Sequence, residues 1–88
     1  MARFEGGAAI ASMGEARPNI EDFFDLGLIY STGREVATDM IAAHKWFNLA
    51  AVKGNREAAQ YRQELALEMK PEEVAEAQRA AREWLRAH

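Results

Sequence analysis

Few residues in this chain are able to do chemistry, and their spacing argues against most of it. There are two histidines, His44 and the terminal His88. A zinc-binding or catalytic helix needs imidazoles four residues apart, or an imidazole and a carboxylate sharing a face with a third ligand. Neither pattern occurs, and Asp39, five residues before His44, points elsewhere on a helix. His44 therefore reads as a surface or groove-lining residue. Of the two serines, Ser12 precedes the helical region and Ser31 falls at a helix end. Neither lies in a Gly-x-Ser-x-Gly elbow, and a helix-terminal hydroxyl usually satisfies local backbone. There is no cysteine, which removes thiolate catalysis, disulfides and Cys-type zinc sites together. Glu21-Asp22-Asp25 and Glu72-Glu73 could be imagined as paired carboxylates, but both groups sit where helices begin and the macrodipole accounts for them. Gly6-Gly7 matches neither a phosphate loop nor a dinucleotide fingerprint. Arg79, Arg82 and Arg86 alternate with glutamates and read as a solvated face. The expectation is no catalytic residue, no metal and no cofactor.

Composition narrows the class further. At 88 residues the chain makes one domain at most, burying somewhat more than ~60 % of the surface its unfolded form exposes. It is 49 % hydrophobic and 28 % charged, as globular domains are. A net charge of -3 speaks against nucleic acid as a partner. No apolar run approaches the ~20 residues of a membrane span. Arg3 is followed at once by Glu5 and two glycines, and Ala8 to Met13 is short for a secretory leader. A cytoplasmic protein is the default expectation.

The elements that would carry these residues are helical. Residues 1–19 hold three glycines and Pro18 without periodicity, and read as a tail or an arm that orders on binding. Asn19 can cap a first helix over 20–32, whose Phe23, Leu26, Gly27 and Tyr30 share a face and whose end is Gly33. Thr38 or Asp39 starts a second helix over 39–53, striped by Met40, Ala43, Phe47, Ala50 and Ala51 and stopped by Gly54. Asn55 can cap a third over 55–70, with Ala58, Tyr61, Leu65 and Met69 in line. Pro71 suits the first position of a fourth over 71–87, whose stripe includes Val74, Ala77, Ala81, Trp84 and Leu85. Such short loops make sequence neighbours antiparallel.

Within this plan, small and large residues recur at ordered offsets. Leu26-Gly27-x-x-Tyr30 is followed by Gly33-x-x-Val36-x-x-Asp39, then by Ala43-x-x-Trp46-Phe47-x-x-Ala50-Ala51-x-x-Gly54 and Ala58. Gly27 and the alanines permit close helix approach, while Tyr30, Trp46 and Phe47 fill the space they leave. Asp39 caps the second helix, and Val36 is expected to plug the end of the pair. The stretch Phe23 to Ala58, about two-fifths of the chain, resembles a Sel-one-like repeat, a relative of the tetratricopeptide repeat. Two positions depart from it. Phe23 stands where a small residue is usual, and Tyr61-Arg62 replaces the next Leu-Gly pair. One full repeat, a degenerate half and a capping helix are therefore expected.

The fold expected is all-α: an antiparallel helical hairpin of α-solenoid type with two further C-terminal helices. The resemblance implies binding rather than catalysis. On its groove, Phe24, Leu28, His44, Lys45 and Asn48 are the side chains expected to be partly exposed and to meet a partner protein. An adaptor or regulatory scaffold binding a peptide or helix is the leading expectation. Alternatives are a self-associating homodimer and, more remotely, a small helical ligand-binding protein or enzyme.

Overall fold

The computed structural model describes residues 20–88. The readings of residues 1–19, including the Asn19 cap, Ser12 and Gly6-Gly7, lie outside the described residues. Those described form an all-helical protein of four helices: α1 (Ile20–Thr32), α2 (Met40–Val52), α3 (Arg56–Glu68) and α4 (Pro71–Ala87). None of these is long and apolar enough to cross a membrane.

Local chemistry explains each boundary. At the end of α1 the Gly33 and Arg34 N–H groups both donate to the Ile29 carbonyl, with Gly33 at φ 75°. The Asp39 carboxylate accepts from the Ala42 N–H at 3.0 Å, so Asp39 is a cap and α2 begins at Met40, one residue inside the expected start. The far end of α2 is a Schellman turn. The Gly54 N–H donates to Ala51 O, the Asn55 N–H to Ala50 O, and Gly54 takes φ 111°. Asn55 then turns its own side chain to the Ala58 N–H at 2.9 Å and caps α3. Met69 and Lys70 are extended, the conformation that Pro71 imposes on the residue before it, so α3 stops at Glu68 where 70 was expected. Glu73 accepts from the Lys70 N–H at 2.9 Å and closes the first turn of α4.

Helix α2 is the hub, packing against α1, α3 and α4. Its sequence, MIAAHKWFNLAAV, is apolar over far more than one stripe, so no single neighbour could cover it. Ala43, Phe47, Leu49 and Ala50 are fully buried, joined in the core by Phe23, Ala58, Leu65, Met69 and Ala81. Two aromatic clusters tie the helices to this hub. Phe23 of α1 stacks on Trp46 of α2 (centroids 5.8 Å) and meets Trp84 of α4 edge-on (5.2 Å). Its neighbour Phe24 meets Phe47 of α2 (5.8 Å) and Tyr61 of α3 (5.6 Å), and Phe47 stacks on Tyr61 at 5.2 Å. Consecutive helical residues point about 100° apart, so this pair of phenylalanines divides between the two clusters.

One expectation about an individual residue is corrected. Val36 does not plug the end of the α1–α2 pair but is 39 % exposed. That end is closed instead by the Asp39 N–H donating to Tyr30 O and by Thr38 lying against Gly33. Phe23, expected on the shared face of the first helix, is 2 % exposed and belongs to the core, where Trp46 and Trp84 supply its surroundings.

Candidate functional site

None of the five side chains expected to line a groove lines either of the hollows described below. Phe24 and Leu28 are half-buried on α1, packed against the core. His44 is 2 % exposed, which corrects its reading as a groove or surface residue. It occupies a flank of α2 that a neighbouring helix covers, a consequence of this helix being buried on several sides. Among the described residues its Nδ1 has no hydrogen-bond partner. Burial, and secondarily the Arg62 charge, lower its pKa from the usual 6.5, while a backbone hydrogen bond acts weakly the other way. Lys45 lies apart, its Nζ 4.4 Å from the centre of a Trp46 ring, and burial lowers its pKa as well. Asn48 accepts a 2.6 Å hydrogen bond from Arg62 Nη1 of α3. That contact gives Arg62, placed where a glycine would allow closer approach, a structural role at the α2–α3 interface.

Other residues of the repeat pattern fall where their sizes suit them. Ala43, Ala50 and Ala58 are fully buried, while Leu26, Tyr30, Trp46 and Ala51 are half-buried. A Cβ on Gly27 would come within 2.5 Å of the Phe47 ring, so α1 and α2 approach as only glycine permits. Gly54, by contrast, has open space around it and is required only for its φ.

Among the described residues, a concave feature lies between α1, α2 and α3. A cavity of about 180 Å³ is floored by Met40, Phe47, Tyr61 and Leu65, with Ser31 on one side and Glu64 and Glu68 on the other. Tyr61 keeps 37 % of its surface exposed although its ring stacks on Phe47. A second, larger hollow of about 490 Å³ shares Met40 and Glu68 with the first and continues toward Asp39, Met69, Lys70 and Glu73. The Ser31 hydroxyl donates to Leu28 O and is a helix-end group. Tyr61 and Leu65 stood in the expected core stripe of α3, but the acidic rim was missed. Its signal was present in the glutamates at 57, 64 and 68, which flank Tyr61 and Leu65 at helical spacing.

Among the described residues no group of three or more His, Cys, Asp or Glu side chains could hold a metal ion. The site is thus an apolar hollow with carboxylates on its edge, on an all-α frame. In comparisons with known proteins, the chain matches no family model, no curated protein and no solved structure.

Proposed function

We propose that this chain is a protein–protein interaction module, an adaptor or regulatory scaffold that binds a peptide or helix of another protein. In this reading α1 and α2 are a helical hairpin of the Sel-one-like kind. Helix α3 is the degenerate start of a next unit, and α4 caps the stack. The observation that carries it is the continuous hollow over α2, with Tyr61 part-exposed among Met40, Phe47 and Leu65. An amphipathic segment laid there would cover apolar surface that the described residues leave open. The role proposed is binding, without a catalytic step.

The test is selection of peptides from a random displayed library against the purified chain, followed by mapping of backbone amide shifts. Shifts expected on binding cluster at Met40, Tyr61, Leu65 and Glu68. A self-associating homodimer is the competing outcome. Failure to select any peptide, together with a dimeric mass and concentration-dependent shifts at those same residues, would overturn the adaptor reading.

A further inference from the structure

The rim of the hollow has a sign. Glu64 and Glu68 both line the smaller cavity, and both are exposed. Neither side chain makes a hydrogen bond or ion pair with another described residue. Where the hollow widens it adds Asp39 and Glu73, against Lys70 as the cation of that part. Asp39 and Glu73 are engaged in capping α2 and α4, so the uncommitted charge of the groove is the Glu64–Glu68 pair. These two stand one turn apart on α3, with Cβ atoms about 5–6 Å apart as for any i,i+4 pair. A cavity of about 180 Å³ suits one large apolar side chain, since ~150 Å³ accommodates a benzene ring. The exposed Tyr61 face beside Glu64 adds a surface over which a guanidinium or ammonium can lie.

We propose that the groove takes a basic amphipathic helix, seating an apolar side chain on Met40, Tyr61 and Leu65 and pairing two Lys or Arg residues, four apart, with Glu64 and Glu68. This rests on the groove-binding reading above and adds the chemistry of the occupant. A helix lying along α3 repeats its cations at the same i,i+4 interval as the carboxylates, so both pairs form in one register. An acidic segment in the same place would set like charges against each other at both positions.

The experiment uses two synthetic helical peptides with the same leucine stripe, one carrying Lys four residues apart beside it and the other Glu, titrated against the full chain by fluorescence anisotropy. The Lys peptide is expected to bind more tightly by about fivefold or more at low salt, with the gap shrinking at high salt. The double variant E64K/E68K should reverse that preference, and E64Q/E68Q should abolish it without reversing it. Both positions are exposed, and far-UV circular dichroism verifies that the fold is kept. Net charge is controlled by E76K/E83K, a pair exposed on α4 away from both hollows, which should leave the preference in place. If the Glu peptide binds as well as the Lys peptide, or the α4 variant removes the preference equally, the basic-partner inference fails while the groove reading stands. If neither peptide binds, the groove reading itself falls.

Discussion

A Cβ on Gly27 would sit 2.5 Å from a ring carbon of Phe47, a fully buried residue packed against Phe24 and Tyr61. Replacing Gly27 by Ala adds helix propensity worth about 1 kcal/mol, but overpacking a rigid core costs about 1–3 kcal/mol or more. Gly27→Ala is expected to lower stability on balance, read as an earlier urea midpoint. His44 poses the opposite problem: its imidazole is buried with Nδ1 unpartnered among the described residues. Because burial holds its pKa below the usual 6.5, the unfolded chain binds more protons than the fold once the pH drops toward that value. Stability therefore falls as the solution is acidified through about 6.5 and on toward the lowered pKa. Urea titrations at pH 7 and pH 5 should show this loss, and His44→Leu should remove its His44 component. The same substitution should raise stability near neutral pH by about 1 kcal/mol, since an unsatisfied buried polar group costs about 1–3. A pH 5 midpoint no lower in the parent than in the variant would contradict this account.

At the scale of elements, the boundaries follow from a handful of residues whose types are visible in the sequence. Gly33, Asp39, Gly54, Asn55 and Pro71 each meet a need that arises within a few residues of them: a left-handed turn, a free N–H, or a barred hydrogen bond. Neighbouring chain is enough to define such needs, which is why they are legible without a fold. Removing the Asp39 carboxylate or the Asn55 carboxamide by alanine is expected to cost about 1 kcal/mol each, measurable as a lower thermal midpoint. Helix α4 is held differently. Its charges are graded along its length, yet what attaches it to the rest is Trp84 against Phe23 and Trp46, with Ala77 and Ala81 buried below. Trp84→Ala should therefore cost about 2–4 kcal/mol, shift the Trp46 emission to the red, and leave the α1–α2 contacts in place. Preserved Trp46 emission in that variant would mean that α4 does not shield this cluster.

For the molecule as a whole, the arrangement around α2 predicts how it unfolds. Helices α1, α3 and α4 each use α2 as their principal neighbour, so losing α2 removes the support of all three. Unfolding by urea should be a single transition, with tryptophan fluorescence and helical circular dichroism coinciding. Two separated transitions would show that α4 detaches first. The sequence alone determined that residues 20–88 are helical, because propensity, capping and 3.6-residue periodicity act within a few residues of each position. It also pointed to the close contact at Gly27, since a glycine inside an apolar stripe has little other use. What only the tertiary structure decided is which partner each wide apolar face receives. Phe23 and Phe24 are adjacent, equally apolar and indistinguishable by pattern, yet one enters the cluster with Trp46 and Trp84 and the other that with Phe47 and Tyr61. His44 turned out to be buried, Val36 exposed, and the acidic rim at Glu64 and Glu68 came to face a hollow. Burial depends on the sum of contacts from all neighbouring helices, and those neighbours come from parts of the chain far from the residue itself.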